Sequence, residues 1–384
     1  MLAHSISMSS NPDKLLRALY VANKYLPDND YRVIYPRQSA VCLVTYALPR
    51  IPYGVDERYF TKVGFGEGVR IANLLHFLEL FIYLVRNQKR LDFVHFYSTL
   101  LILLGPIVAW LAGLPSLITV TGLGRTFTSP QWKYRWLRPL YRALMGLAIR
   151  LSRAVLFQNH SDLSTFTERF PKGKHKYYYV GSAVDLPIVH QKSFSAVRLR
   201  VLLAARLLPY KGIQDFLEVA DRLKETYEFV LVGPPSIGFD RLFAKVQDYT
   251  LRGIIIYTGE LDTLATQAQL EKSHIFFFPS YYGEGIARVL LEAGFTCLCP
   301  IAYDISSNQD LIKDGCGFLV PCRDTEQVIY ILSKLSNDRS CLERSARAYQ
   351  AYITKNFNIT IYSNRMDNLI TKLFQKKGGY DGAG

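Results

Sequence analysis

Short apolar runs of strand length alternate with helix-length segments throughout this 384-residue chain, and the alternation starts a second time at Leu199. Such alternation is typical of βαβ units, which build parallel sheets covered by helices. A chain of this length can hold two domains, each with its own core. The sequence therefore predicts an α/β protein with two consecutive Rossmann-like domains. Because ligands of such sheets bind outside the carboxyl ends of the strands, we expect a cleft between the domains.

The elements and domain boundaries follow from the positions of these runs. The strands predicted for the first half lie near 2–7, 32–36, 40–46, 92–97, 116–121 and 154–158, and the helices near 12–26, 69–88, 100–112, 137–151 and 161–169. After a basic, tyrosine-rich linker at 171–195, strands are predicted at 199–205, 229–233, 254–259, 274–279 and 297–302, with a helix at 212–226. We therefore expect an N-terminal domain over 1–190 and a C-terminal domain over 196–358. A last helix, 359–375, is expected to pack back on the first domain, and 376–384 form a flexible tail.

One apolar stretch could be long enough to span a membrane. Residues 93–124 contain no Asp, Glu, Lys or Arg, and length alone would allow a transmembrane helix. However, Gly105-Pro106 and Gly113-Leu114-Pro115 divide the stretch into pieces of strand, helix and strand length. The sequence favours a buried strand–helix–strand unit.

Two acids with seven residues between them, Glu284 and Glu292, follow the apolar run 274–280. The first lies at a glycine-flanked turn, and the second is predicted on the helix that this turn opens. Backbone N–H groups at a helix start favour an anion, and the rise of a helix would place the second acid roughly 12 Å further on. The spacing suits an extended ligand with a phosphate in the middle and hydroxyls at both ends. The alternative is an amphipathic helix with two solvated acids.

Two cations, Arg206 and Lys211, follow the first strand of the second half. Loop cations are usually solvated, but these emerge at the edge of a parallel sheet where ligands bind. A clamp for phosphate groups is the functional alternative.

These clusters together resemble the retaining glycosyltransferases of family 4, which have the GT-B fold of two Rossmann-like domains facing across a cleft. The resemblance is carried, in order, by Ala205–Gly212, by Pro279–Ala293 and by Asp314–Val320. A looser similarity in the first half, at Asp92–His95, Val120–Gly124 and Phe157–Asn159 with Asp162, points to a bacterial branch. That branch glycosylates lipid-diphosphate-linked sugars for capsule, O-antigen or glycoprotein glycans.

The resemblance implies a role for each motif residue. Glu284 would bind hydroxyls of the donor sugar and Glu292 those of the ribose, while Arg206 and Lys211 would stabilise the diphosphate leaving group. It also places four residues at the donor, namely Gly285, Ile286, Gly259 and Gly122. Retention would follow from attack on the front face, with the departing phosphate accepting the acceptor's proton. No cofactor and no metal ion would be required, and the donor would be a nucleotide-sugar, with UDP indicated by the branch.

The chain departs from the family pattern on the acceptor side. Many members carry a histidine before the glycine that matches Gly122, where this chain has Thr121. The glycine-rich turn after the first strand is replaced by Ser7–Pro12. These departures leave the acceptor open.

The net charge of +14 indicates an anionic partner. Residues 129–157 contain six Lys or Arg and no acid, and the predicted helix there would carry arginines on one face and Leu140, Leu144, Leu147 and Leu151 on the other. Aromatic residues beside a basic amphipathic helix suit an anionic membrane surface. The residues expected at the membrane or acceptor are Arg138, Arg142, Arg150, Arg153, Trp132 and Trp136. The alternative, compatible with the first, is a domain helix with its leucines packed inward.

The sequence thus predicts a cytoplasmic hexosyltransferase, peripheral on the inner face of the cell membrane, that uses a nucleotide-sugar donor and a polyprenyl-diphosphate-linked sugar acceptor in surface polysaccharide or glycan synthesis. Six cysteines without a CxxC pair, and a start that lacks a signal-peptide pattern, favour the cytoplasm. The alternatives are a soluble small-molecule or protein acceptor, a non-catalytic partner protein, and a nucleic-acid-binding protein. A nucleic-acid partner is disfavoured because no such binding motif is present.

Overall fold

The computed structural model describes residues 16–22, 39–45, 60–62, 71–97, 99–122, 132–281 and 285–374. In the first domain it contains β1 (Leu16–Ala22), β2 (Ser39–Thr45), β3 (Phe60–Lys62), α1 (Ile71–Asn87), β4 (Phe93–Tyr97), α2 (Thr99–Leu111), β5 (Ser116–Val120), α3 (Trp132–Leu151), β6 (Ala154–Phe157), α4 (His160–Arg169) and β7 (Tyr177–Tyr179). The strands form one parallel sheet in the order β3-β2-β1-β4-β5-β6-β7.

The central strands of this sheet are covered on both faces. Every residue of β4, β5 and β6 is buried, as expected for a parallel sheet between helical layers. On one face, α1 to α4 contribute core side chains such as Leu80, Leu101 and Met145. On the other face lies the last helix of the chain, α12 (Ile359–Phe374), whose Met366 is fully buried against the sheet.

The second domain repeats the architecture. It contains β8 (Leu199–Ala204), α5 (Ile213–Leu223), β9 (Tyr227–Val232), α6 (Asp240–Leu251), β10 (Ile256–Gly259), α7 (Thr263–Lys272), β11 (Ile275–Phe278), α8 (Arg288–Phe295), β12 (Cys299–Tyr303), α9 (Ser306–Gln309), β13 (Phe318–Val320), α10 (Thr325–Asn337) and α11 (Arg339–Asn356). The parallel order is β10-β9-β8-β11-β12-β13. The direction of strand addition reverses between β8 and β11, so ligands are expected at their carboxyl ends.

Two predicted elements are wrong. The helix predicted over 12–26 is occupied by β1, which pairs in parallel with both β2 and β4. A short continuous apolar run is compatible with a buried strand and with a buried helix segment, so periodicity could not separate the two. The segment 171–195, predicted as a linker, contains the edge strand β7, paired with β6.

Other expectations lie outside the described residues, namely the strands near 2–7 and 32–36 in the first domain and the tail 376–384 at the end of the chain.

The apolar stretch 93–124 forms β4, α2 and β5, as the sequence favoured. A Cβ on Gly105 of α2 would lie 2.6 Å from the Phe96 ring, so the missing side chain allows the helix to lie directly on the sheet. Among the helices within the described residues, none combines the length and the hydropathy needed to cross a membrane.

Candidate functional site

The cationic turn after β8 and the segment after β11 lie against each other. The Tyr281 N–H donates to the Tyr210 carbonyl oxygen over 3.2 Å. Gly212 has φ +69°, and a Cβ there would lie 2.2 Å from the Pro279 carbonyl oxygen. A side chain at residue 212 would therefore force the two segments apart. This contact brings the two sequence clusters together at the point where the strand order reverses.

The two cations differ in exposure. Arg206 is exposed beyond the end of β8, whereas Lys211 is half-buried, with Nζ 5.8 Å from the centroid of the Phe278 ring. An ammonium group over an aromatic face is attracted by the ring's quadrupole. Lys211 therefore contributes a fixed positive charge at the carboxyl end of β11, while Arg206 can reach into the cleft from solvent.

Glu292 lies on α8 and faces a cavity of about 220 Å³. Its side chain is 18% exposed, and its Oε1 accepts a hydrogen bond from Arg288 Nε over 2.9 Å. The cavity lining also includes Leu186 and residues of α7 such as Thr263 and Thr266. Arg288 was not among the predicted site residues, although its position four residues before Glu292 on a helix was a readable signal.

Glu284 lies outside the described residues, which resume at Gly285. Gly285 is buried and Ile286 is half-buried, and α8 begins only at Arg288. The prediction that a helix starts at the glycine turn is therefore wrong, because residues 285–287 are not helical and Ala287 is extended, with ψ 101°. The distance inferred for a continuous helix between the two acids does not apply.

Residues that follow β5 in the first domain contact the segment that precedes α8. A Cβ on Gly285 would lie 2.2 Å from the carbonyl oxygen of Thr121. Gly122, with φ +139°, follows directly. Gly122 and Gly285 thus lie together across the cleft. Gly259 lies further away, at the end of β10, where its carbonyl oxygen accepts from the Gly233 N–H over 2.8 Å.

A second contact between the domains lies at the start of α4. The His160 N–H donates to Asp310 Oδ2 over 2.6 Å, and the His160 ring stacks on Tyr179 with centroids 3.9 Å apart. The buried Asp162 follows in the same turn, and its pKa is raised to about 6, mainly by burial and further by Asp310. The hydrogen bond from Asn159 Nδ2 to Asp162, 2.9 Å long, acts in the opposite direction. No local sequence pattern identified Asp310, since it acts on a residue 150 positions away.

The predicted orientation of α3 is wrong for two of the four leucines expected to pack inward, Leu140 and Leu147. The buried residues of this helix include Tyr141, Met145 and Ala148. Its outer stripe consists of Trp136, Leu140 and Leu147, which are 79%, 58% and 41% exposed. These positions project in one direction at 100° per residue, so Leu140 and Leu147, which were predicted to pack inward, face outward. Leu144 is half-buried and packs against the core, as predicted.

The predicted basic residues of this region do not form one face. Arg142 and Arg150 are exposed on α3, and Arg138 is half-buried. Arg153 follows the end of the helix, and its guanidinium stacks over the Phe374 ring at 5.2 Å, on the α12 side of the sheet. Trp132 is the first residue of α3, and its side chain lies outside the described part.

Comparison with known proteins gives consistent matches. Residues 190–355 match the family described as glycosyl transferases group 1. The chain is 24% identical over 314 residues to the Escherichia coli UDP-Gal:alpha-D-GlcNAc-diphosphoundecaprenol alpha-1,3-galactosyltransferase. The matched segment covers 77% of this chain and 79% of that relative. The chain is also 25% identical over 201 residues, 49% of each chain, to the putative colanic acid biosynthesis glycosyltransferase WcaL of Salmonella typhimurium.

Solved structures share the whole architecture. Anabaena Alr3699/HepE in complex with UDP superposes with a TM-score of 0.71 at 14% identity, over 93% of this chain and 100% of that one. Sucrose-phosphate synthase from Thermosynechococcus elongatus gives 0.73 at 15% identity, over 94% and 99%. The predicted GT-B fold is confirmed.

Proposed function

We propose a specific reaction for this glycosyltransferase, whose residues 190–355 belong to the glycosyl transferases group 1 family. The chain moves a sugar, with retention of configuration, from a UDP-linked donor to a glycan acceptor carried on a lipid diphosphate. The observation that carries the proposal is the packing of the Arg206–Gly212 turn against Pro279–Tyr281 where the strand order reverses. That packing supports the proposal, because it brings a cationic turn and backbone N–H groups to the sheet edge where ligands of such folds bind.

Each donor-side group has a chemical role in this reaction. As the bond between the sugar and the diphosphate breaks, negative charge develops on the leaving phosphate, and Arg206 and Lys211 stabilise it. The acceptor hydroxyl attacks the same face of the sugar and gives its proton to the departing phosphate. Glu292 holds the ribose within the adjoining cavity, and Glu284 orients the sugar. The two side-chain cations provide the charge stabilisation, so the proposed reaction needs no metal ion.

The names of the similar proteins support the substrate classes. The Escherichia coli relative is named for a UDP-galactose donor and an acceptor on diphosphoundecaprenol, and the Anabaena structure contains UDP. We transfer only the classes, a UDP-sugar and a lipid-diphosphate-linked sugar.

The outer stripe of α3 suits an enzyme whose acceptor lies in a membrane. Trp136, Leu140 and Leu147 face outward, and the exposed Arg150 lies beside them on the helix. Apolar side chains can enter the interface while the guanidinium groups contact anionic lipid headgroups. We propose that this surface holds the protein on the cytoplasmic face of the cell membrane.

The test is a transfer assay with a panel of UDP-hexoses and a polyprenyl-diphosphate GlcNAc acceptor. Arg206→Ala and Lys211→Ala should each lower kcat/KM by about 10²-fold or more, and Glu284→Gln should also be impaired. Arg344→Ala, which removes an exposed arginine of α11, is the matched control and should retain activity. Full activity in both cation variants would overturn the proposed chemistry. If the enzyme transferred sugar to a lipid-free GlcNAc-diphosphate acceptor as fast as to the polyprenyl-linked one, the proposal of a lipid-linked acceptor would be overturned.

A further inference from the structure

The ion pair between Arg288 and Glu292 is poorly explained by helix stability. Arg288 is the first residue of α8, at the positive end of the helix dipole, where a cation is unfavourable. The order of the pair is also unfavourable, because an acid preceding its cation by four residues is the more stabilising arrangement. Two other pairs at this spacing, Asp248–Arg252 and Glu343–Arg347, follow the favourable order.

The environment of the pair also differs from that of the other two. The side chains of Arg288 and Glu292 are 26% and 18% exposed and line the cavity beside α7. Those of Glu343 and Arg347 are both 44% exposed on the surface of α11. A half-buried, charge-assisted hydrogen bond of 2.9 Å fixes a carboxylate more firmly than an exposed pair does. The pair therefore lowers the stability of the helix but holds the Glu292 carboxylate in a fixed position in the cavity.

We infer that Arg288 is a positioning residue for the donor nucleotide. Its Nε holds Glu292 Oε1, so the carboxylate keeps one orientation towards the cavity, where it accepts hydrogen bonds from the hydroxyls of the donor's ribose. This inference rests on the proposed use of a UDP-sugar. Arg288 acts through Glu292 and sets the preference for nucleotides that carry ribose hydroxyls.

A positioning role for Arg288 predicts a change in nucleotide preference that a general loss of structure would not produce. The affinity of the wild type for UDP should exceed that for 2′,3′-dideoxy-UDP by about tenfold or more, since a hydrogen bond to a charged group is worth that much. Arg288→Ala should lose most of this preference, with little change in affinity for the dideoxy nucleotide. Arg288→Lys keeps the charge but not the planar guanidinium, so it should recover only part of the preference.

Titration calorimetry with the two nucleotides on the full chain tests this. Glu292→Gln should lose the same preference as Arg288→Ala, and the double variant should lose no more than either single change, because both act on one contact. Arg347→Ala, which breaks the exposed Glu343 pair, should retain the wild-type preference.

The outcomes separate the inference from the proposed function. An undiminished preference in Arg288→Ala would overturn the positioning role, as would an equal loss of affinity for both nucleotides, which would indicate contact with the phosphates. A wild type that binds neither nucleotide would overturn the proposed donor itself.

Discussion

Replacing Gly285 with alanine tests how closely the two domains must meet at the proposed reacting centre. A Cβ at residue 285 would lie 2.2 Å from the Thr121 carbonyl oxygen and 2.8 Å from its carbonyl carbon. Ordinary van der Waals contact begins at 3.4 Å, so the facing segments would have to separate by roughly 1 Å. Gly285 has no left-handed φ, and the cost of the change therefore lies in this contact.

The expected result is a loss of catalysis without a comparable loss of donor binding. A displacement of about 1 Å between reacting groups can lower the rate about 10²-fold, which corresponds to about 2.7 kcal/mol of transition-state stabilisation. Arg206, Lys211 and Glu292 all belong to the second domain, so we expect the affinity for UDP to change by less than about threefold. The melting temperature should change little, because the contact joins two domains rather than filling a core.

The test combines three measurements on the same preparation: steady-state transfer rates, calorimetry with UDP and thermal melting. Gly146→Ala is the matched control, since a Cβ at that position in α3 would meet no heavy atom within 4 Å. It should retain activity and gain about 0.5–1 kcal/mol of helix stability. Wild-type kcat in Gly285→Ala would refute the reasoning, as would a loss of UDP affinity as large as the loss of rate.

Two further predictions concern charge and the outer surface. Because the pKa of Asp162 is raised to about 6 in the folded state, its ionisation costs stability as pH rises from about 4 to above 6. Asp162→Asn should therefore stabilise the protein by roughly 2–3 kcal/mol at pH 8 and by almost nothing at pH 4, a difference that thermal melts across this range would reveal. Leu140→Ser should weaken binding to anionic vesicles about tenfold in co-sedimentation without changing the melting temperature, whereas Leu251→Ser, at a residue 88% exposed on the second domain, should not. A stabilisation by Asp162→Asn that does not change with pH would contradict the first prediction. Binding of Leu140→Ser to anionic vesicles as tight as that of the wild type would contradict the second.

The second domain was largely readable from the sequence. Its strands are apolar runs bounded by Gly, Pro or polar residues, so β8 and β11 lie within a residue or two of their predicted positions. The prediction for the first described strand, β1, was wrong for the opposite reason. Leu16–Ala22 has no flanking glycine or proline that separates a buried strand from part of a helix. Its identity is decided by pairing with β2 and β4, which no local pattern contains.

The contacts around the site were less predictable than its residue types. Strand topology placed Arg206 and Lys211 at the correct edge of the sheet, because every helix in a parallel sheet starts there. The approach of Thr121 to Gly285 joins residues of different domains, and no periodicity encodes it. The outward positions of Leu140 and Leu147 were missed because the leucine face of α3 was expected to be its core face, although the spacing already placed Trp136 on the same side as Leu140.

The position of α3 relates the proposed membrane surface to the cleft. A helix that follows a strand of a parallel sheet begins at the carboxyl edge of that sheet, and this is the edge at which Thr121 meets Gly285. Trp136 lies near that end of α3, whereas Leu147 lies near the other, so the outer stripe extends away from the cleft over roughly 17 Å. A membrane lying along this stripe would present lipid headgroups beside the entrance to the cleft. The diphosphate of a lipid-linked acceptor would then reach the donor sugar without leaving the interface, and the charge on α3 would serve the acceptor while the charge on the Arg206–Gly212 turn serves the donor.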